Sequence, residues 1–235
     1  MLDLKGYGPT ILKGSLVTIE VAILSLLLAL LLGLLGATAK LSRNPVSKAV
    51  GTAYTTVIRG VPDLVLMLLI FYGGQIMMNS LSDWLYDQFE IDTYININAF
   101  VAGVLTIGFI FGAYMSETFR GAFLAVERGQ VEAGLAYGMN RWQIFKRIMF
   151  PQMMRHALPG LGNNWLVMLK TTALVSVIGM EDMVRAAHQA SAALQAPFMF
   201  FIPVLLIFLA LTSISEFFFK KLETHYHVDS RRASQ

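Results

Sequence analysis

Apolar residues fall in five long runs along the 235-residue chain, and shorter polar stretches separate them. An apolar run near 20 residues is long enough to cross the hydrocarbon core of a bilayer as an α-helix. The pattern therefore predicts an all-α integral membrane protein, in which residues 1–235 form a single transmembrane domain with a polar tail at 220–235. The five predicted spans are residues 10–39, 53–78, 99–123, 159–178 and 198–219.

Composition supports this class, because 56% of the residues are hydrophobic and 14% are charged, whereas soluble domains carry about 25% charged residues. The net charge of +3 is too small to indicate a nucleic-acid partner. The chain has no cysteine, which excludes disulfides, thiol catalysis and cysteine-based metal sites. His225 and His227 form a close pair in the polar tail, where solvated side chains are the usual case, so we expect no metal site.

Lys and Arg are distributed unevenly between the predicted loops. Fourteen of the eighteen lie in residues 40–59, in residues 120–155 or in the tail. The polar stretch 80–98 instead carries four acidic residues and no Lys or Arg. Because loops rich in Lys and Arg stay in the cytoplasm, we predict that residues 130–151 and the C-terminus are cytoplasmic and that the N-terminus lies outside.

Residues 130–151 form the longest stretch that fits neither a membrane span nor an ordinary loop. We interpret it as two short helices, with Gly138 in the left-handed conformation that follows a helix end. Asn140 can cap the second helix, with Gln143 three residues on. Pro151 is expected to end that helix. Such a pair either docks a partner or lies on anionic lipid headgroups.

The spacing of residues in this stretch resembles the EAA motif of ABC importer permeases. That motif reads Glu-Ala-Ala, three residues, Gly, nine residues, Ile, any residue and Leu-Pro. The chain departs from it at Gly134, which replaces the second Ala, and at Phe150, which replaces Leu. The resemblance implies that the matching residues contact an ATPase subunit. These residues are Glu132, Ala133, Gly134, Gly138, Ile148 and Pro151.

Other stretches resemble the polar amino-acid permease family over nearly the whole chain. They are residues 58–62, 71–73, 114–121, 157–160 and 163–174. Residues 62–66, reading PDLVL, are most similar to the Q-type permease subunit of histidine and lysine/arginine/ornithine importers. The resemblance implies the type I ABC importer permease fold, with five spans and a cytoplasmic coupling-helix pair. It also implies a place in the bacterial inner membrane, with the N-terminus in the periplasm.

The same resemblance implies a complex of several subunits. Its members are two permease subunits, the second a paralogue, two cytoplasmic ATPase subunits and a periplasmic substrate-binding protein. The chain contains no G-x-x-x-x-G-K-[ST] phosphate loop. We therefore assign ATP and Mg to the ATPase subunits, and we expect this chain to have no cofactor, no catalytic residue and no enzyme activity of its own.

The predicted substrate is a basic amino acid such as histidine, arginine, lysine or ornithine. A carboxylate inside a span must face protein or water, and Asp63 and Glu117 are the best placed acids to bind a cationic substrate. Arg120, however, lies three residues after Glu117 and can simply pair with it. The remaining candidates are Tyr72 and Tyr114 as walls or cation–π partners, and Asn163, Thr171 and Thr172 as hydrogen-bonding groups.

Transport is expected to proceed by alternating access, with the ATPase subunits switching the spans between inward-open and outward-open states. A rival hypothesis is a secondary amino-acid transporter driven by an ion gradient, with Glu20, Asp63 and Glu117 as ion sites. Five spans without an evident inverted repeat speak against that rival.

Overall fold

The structure, a computed structural model, describes residues 4–93 and 96–232, with side chains to residue 226. Every regular element in this part of the chain is helical. The elements are α1 Gly8–Leu41, α2 Pro45–Gly60, α3 Asp63–Phe89, α4 Ala99–Leu124, α5 Arg128–Ala136, α6 Arg141–Ile144, the π-helical segment Phe145–Met149, α7 Phe150–Thr171, the 3-10 segment Thr172–Ile178, α8 Met183–Leu194 and α9 Pro197–Arg232.

Five helical stretches of the described residues are long and apolar enough to cross a membrane, which confirms the number of spans that the sequence predicts. These stretches are Gly8–Leu41, Asp63–Phe89, Ala99–Leu124, Arg141–Ile178 and Pro197–Tyr226. The helices extend past most of the predicted span limits, as helix ends commonly do. The exact limits of the membrane-buried part therefore stay a prediction.

A helix break divides the second predicted span, residues 53–78. α2 ends at Gly60, Val61 is extended with φ −115° and ψ 140°, and α3 begins at Asp63. Pro62 causes the break because it has no N–H to donate and disfavours helical backbone in the residue before it. The break places the last turn of α2 next to the first turn of α3 in the chain.

The expectation that Pro151 ends a helix is wrong, and the helix of the fourth predicted span, residues 159–178, begins well before residue 159. Helical backbone runs without interruption from Arg141 to Ile178. Phe150 donates its N–H to the carbonyl of Phe145, five residues back, within the π-helical turn. This wider turn shifts the hydrogen-bonding register just before the residue that lacks a donor, so Pro151 fits the first turn of α7.

α4 occupies the centre of the helix bundle. In the most apolar 18-residue stretch of α4, 61% of the residues are buried, whereas the corresponding stretches of α3 and α9 each have 11% of their residues buried. α1 runs parallel to it, since Gly108 meets Leu28 and Gly33 meets Met115. A Cβ atom on Gly108 would lie 2.6 Å from the Leu28 side chain. The small residue therefore permits a close helix contact.

α7 lies on another side of α4 and runs antiparallel to it, because Gly160 meets Thr118 and Gly103 meets Val175. The end of α4, the end of α1 and the start of α7 therefore share one end of the bundle. At the other end, α8 and the first turns of α9 pack on the start of α1, in a second buried cluster that includes Ile11.

Candidate functional site

The break between α2 and α3 brings two charged side chains to the tyrosine in the middle of α4. The Arg59 Cζ atom lies 5.5 Å from the centroid of the Tyr114 ring, within cation–π range. Asp63 and Arg59 both act electrostatically on the Tyr114 hydroxyl. Asp63 and Tyr114 are partly buried, whereas Arg59 is exposed. We call these three residues the Asp63 site.

The Asp63 carboxylate makes no hydrogen bond and no ion pair with any residue that the structure describes. It lies in the first turn of α3, where the helix dipole favours a negative charge. Arg59 lies in the last turn of α2, where the dipole favours a positive one. Helix ends thus stabilise both charges in place and still leave their polar atoms available to a ligand.

Glu117 lies one turn further along α4 and is in a different situation. Lys40 from α1 binds its Oε1 atom, and Arg120 approaches its Oε2 atom with Nη2 at 2.8 Å. Lys40 also donates to the Thr55 hydroxyl on α2, with Nζ 2.8 Å from Oγ1. Lys40, Thr55, Glu117 and Arg120 form a set that we call the Glu117 cluster. The cluster joins α1, α2 and α4. It includes the ion pair between Glu117 and Arg120, which the sequence suggests as the alternative to a substrate-binding role for Glu117.

The other predicted substrate ligands do not gather at the Asp63 site. Thr171 and Thr172 donate their hydroxyls to the carbonyls of Val167 and Leu169, at 3.0 and 2.6 Å. Both threonines are buried. Because α7 runs antiparallel to α4, they lie level with the first half of α4, on the order of 12 Å along the helix axis from Tyr114.

Tyr72 and Asn163 are the two remaining candidates. Tyr72 is half exposed and packs edge-on against Phe71, with ring centroids 5.2 Å apart. It lies nine residues after Asp63, about 13 Å along α3. Asn163 is exposed on α7, while its neighbour Asn164 donates to the Thr118 hydroxyl at 3.0 Å. Of the seven predicted ligands, Asp63 and Tyr114 are the two that belong to the Asp63 site.

Lys40, Thr55 and Arg59 are polar residues of this region that sequence reasoning does not assign to the substrate site. Lys40 and Glu117 are 77 residues apart in the chain, so no local spacing links them. Arg59 is recognisable in the sequence only as a charge at a helix end. The helix break at Pro62 is the one sequence signal that could have pointed to it.

Residues 130–151 form a helix pair at the end of the bundle shared by α1 and α4. Gly138 adopts a left-handed conformation with φ +75° after α5. The Asn140 side chain accepts the N–H of Gln143, and the Gln143 side chain accepts the N–H of Asn140, each at 2.9 Å. The sequence-based expectations for Gly138 and for the cap of the second helix are therefore confirmed.

Two of the predicted docking residues pack inside the helix pair. A Cβ atom on Gly134 would lie 2.9 Å from Cδ1 of Ile148 and 3.2 Å from Cγ1 of Ile144. The glycine that departs from the motif therefore lets α5 approach the following helix closely. The remaining docking residues are exposed, and they are Glu132, Ala133, Gly138 and Pro151.

A helical bundle with five candidate spans, a helix break flanked by two charged side chains and an exposed helix pair at one end has the features of a transport permease. Residues 25–227 match the family described as "Binding-protein-dependent transport system inner membrane component". The chain belongs to this family, and it is an inner-membrane transport component rather than an enzyme. Membership implies an ATPase and a substrate-binding protein as partners.

The chain is 52% identical to the histidine/lysine/arginine/ornithine transport system permease protein HisQ of Salmonella typhimurium, over 98% of this chain and 99% of that protein. It is 35% identical to the arginine ABC transporter permease protein ArtQ of Escherichia coli, over 92% and 94% of the two chains. A crystal structure of an amino acid ABC transporter with histidines matches 95% of this chain and 97% of its own, with 32% identity and a TM-score of 0.78. The type I permease fold that the sequence predicts is confirmed.

Proposed function

We propose that this chain is the permease subunit of an importer for basic amino acids such as histidine, arginine, lysine and ornithine. The observation that carries the proposal is the Asp63 site, where Asp63 and Arg59 lie on either side of a helix break without an ion pair to each other. The names of the two relatives above support this choice of substrate.

The site offers each part of such a substrate a complementary group. The Asp63 carboxylate would bind the cationic side chain, and the Arg59 guanidinium would bind the substrate carboxylate. The α-ammonium would meet carbonyl groups at the end of α2, because the last carbonyls of a helix have no partner within it. The Tyr114 ring would form one wall. Tyr72 and Asn163, whose side chains are exposed, remain proposed contacts.

The docking residues and the charge distribution support an orientation and a set of partners. Lys40, Arg43 and Lys48 lie at the same end of the bundle as residues 128–155, so we place that end in the cytoplasm and the N-terminus in the periplasm. There Glu132, Gly138 and the rest of the helix pair would contact one of two ATPase subunits that hold ATP and Mg. A second permease, which we propose is a paralogue, and a periplasmic binding protein would complete the importer.

Uptake by proteoliposomes tests the proposal. The complete complex should accumulate labelled arginine only when ATP, the ATPase and the binding protein are all present. Uptake driven by an ion gradient without the ATPase would contradict the proposal and favour the secondary transporter. A substrate panel measured on the same liposomes would rank the basic amino acids.

A variant in the helix pair tests the docking surface separately. Gly138→Asp places a charge and a Cβ atom at the left-handed turn between the two helices. We expect ATPase association to be lost while the chain still inserts in the membrane. Unchanged association in a pull-down would show that the ATPase binds elsewhere.

A further inference from the structure

A groove lies between the end of α4 and α5, the first helix of the helix pair in residues 130–151. Its volume is about 420 Å³. Its floor is apolar and consists of Phe123, Val126, Val131 and Met149. Val126 is almost fully buried, whereas Val131 and Met149 are partly open to the groove. A space of this size admits one or two large side chains, and its apolar floor gains free energy when it is covered.

The rim of the groove carries one positive and one negative charge. Arg128 and Glu132 both line it and lie four residues apart on α5. Charges at this spacing on a helix often pair. Here both side chains are exposed, and neither forms an ion pair or a side-chain hydrogen bond with another residue among those described. Both charges are therefore available to an outside group.

Three features of the groove select its occupant. Glu132 is the first residue of the docking motif as well as a rim residue, so the groove is continuous with the proposed ATPase contact. An anionic lipid headgroup would be attracted by Arg128 but repelled by Glu132. A protein surface can present an apolar side chain between one basic and one acidic residue. Such a surface would cover the apolar floor and form an ion pair with each of the two rim charges.

We propose that this groove is a second contact for the ATPase subunit, which inserts an apolar side chain over Val131 and Met149. A basic residue of the ATPase faces Glu132, and an acidic one faces Arg128. The inference rests on the proposed function and deepens it. The contact thereby reaches α4 directly, because Phe123 lies on the same helix as Tyr114 and about 13 Å further along it.

Site-specific labelling tests the groove, since the chain contains no cysteine of its own. Leu124 lines the groove and is 59% exposed, so Leu124→Cys adds a reactive group at the rim without opening the core. Val50→Cys is the matched control, because Val50 lies on α2 near the same end of the bundle and is 64% exposed. Each variant is labelled with a maleimide in liposomes, as permease alone and as the complete complex.

We expect the ATPase to slow labelling at Leu124→Cys about tenfold when it is present at roughly ten times its dissociation constant, because about a tenth of the permease is then free. Labelling of Val50→Cys should stay the same. If the ATPase co-purifies but leaves Leu124→Cys unprotected, the groove inference is overturned and the proposed function stands. If the ATPase does not associate with wild-type permease at all, the proposed function itself fails.

Three other outcomes would also overturn the inference. Protection of Leu124→Cys in liposomes without ATPase, but not in detergent, would identify lipid as the occupant. Protection by millimolar arginine in the absence of ATPase would identify a site for a free amino acid. Equal protection of Leu124→Cys and Val50→Cys would indicate general coverage of this face of the protein.

Discussion

The Asp63 site and the Glu117 cluster are neighbours on α4, but their carboxylates have opposite environments. Tyr114 and Glu117 are three residues apart on one helix. Glu117 has a cation on each oxygen, one from α1 and one from its own helix. The Asp63 carboxylate has no hydrogen bond or ion pair among the described residues, and the exposed Arg59 lies over the Tyr114 ring.

The difference separates a structural charge from a candidate binding charge. A carboxylate at membrane depth costs a few kcal/mol on insertion scales, unless its surroundings compensate for the lost hydration. The Glu117 cluster compensates within the chain and thereby ties α1, α2 and α4 together. For Asp63 the compensation is limited to the dipole of α3, at whose N-terminus it lies. A cationic ligand would supply the positive charge that Lys40 and Arg120 supply to Glu117.

The largest expected effect comes from breaking the Glu117 cluster. Glu117→Gln removes the negative charge and leaves Lys40 and Arg120 close together. Breaking a largely buried ion pair by removing one partner costs about 3 kcal/mol, and Lys40 and Glu117 are only 14% and 17% exposed. We expect a large loss of folded protein, measured as monodisperse yield in detergent and as a lower Tm.

A paired variant separates charge balance from the loss of one side chain. Lys40→Met with Glu117→Gln removes both charges of the interhelical pair and should recover part of the yield. If Glu117→Gln instead folds normally and loses only transport, Glu117 is a substrate ligand, and the contrast with Asp63 is wrong.

Asp63→Asn should have the second largest effect, on transport rather than on folding. The variant keeps the shape of the side chain and removes the charge that would bind the cationic substrate. A charge-assisted hydrogen bond contributes about 2 kcal/mol, which corresponds to roughly thirtyfold in affinity. We expect kcat/KM for arginine uptake to fall by about that factor while yield and Tm are retained. Retained uptake would place the substrate elsewhere.

The contrast between these two acids also shows how far the sequence alone could lead. Hydrophobic runs predict the five spans, and local spacing predicts the left-handed Gly138 and the cap at Asn140, because these features depend on nearby residues. The partner of Glu117 could not be predicted, since Lys40 belongs to another helix. Arg120 suggested a pairing from sequence, but only the packing of α1 on α4 supplies the second cation.

The sequence also did not predict which prolines interrupt a helix. Pro151 and Pro159 both lie inside one uninterrupted helical stretch, whereas Pro62 breaks one. The difference depends on the backbone before each proline, such as the π-helical turn that precedes Pro151. Residue type alone does not distinguish these three positions.

Asp182 is a third carboxylate in this comparison, and only one of its two oxygens has a hydrogen-bond partner among the described residues. It lies between the 3-10 segment and α8, and it is fully buried. Its Oδ1 atom accepts the N–H of Arg185 at 2.9 Å, while its Oδ2 atom has no partner among the described residues. Burial raises the pKa of Asp182 from 3.8 to about 6, and the hydrogen bonds from backbone N–H groups oppose this rise.

The pKa shift of Asp182 predicts a smaller effect that depends on pH. Because the folded state binds the proton more tightly than the unfolded chain, stability should fall as pH rises from about 4 to 6 and should stay lower above that range. Asp182→Asn retains an oxygen for the cap but cannot ionise, so its Tm should lose this dependence. The measurement is Tm against pH, with Asp87→Asn at an exposed position as the control. An unchanged slope in Asp182→Asn would assign the pH dependence to other groups.

The smallest expected effect concerns Thr172, whose hydroxyl is already used within the chain. Thr172→Val removes the hydrogen bond to the Leu169 carbonyl and keeps a β-branched side chain of similar size. The expected cost is about 1 kcal/mol in stability, and the ranking of basic amino acids in an uptake panel should not change. If the ranking changes as it does in Asp63→Asn, the threonine hydroxyl must exchange its carbonyl for the substrate during transport. Thr172 would then belong with Asp63 among the side chains that bind the substrate.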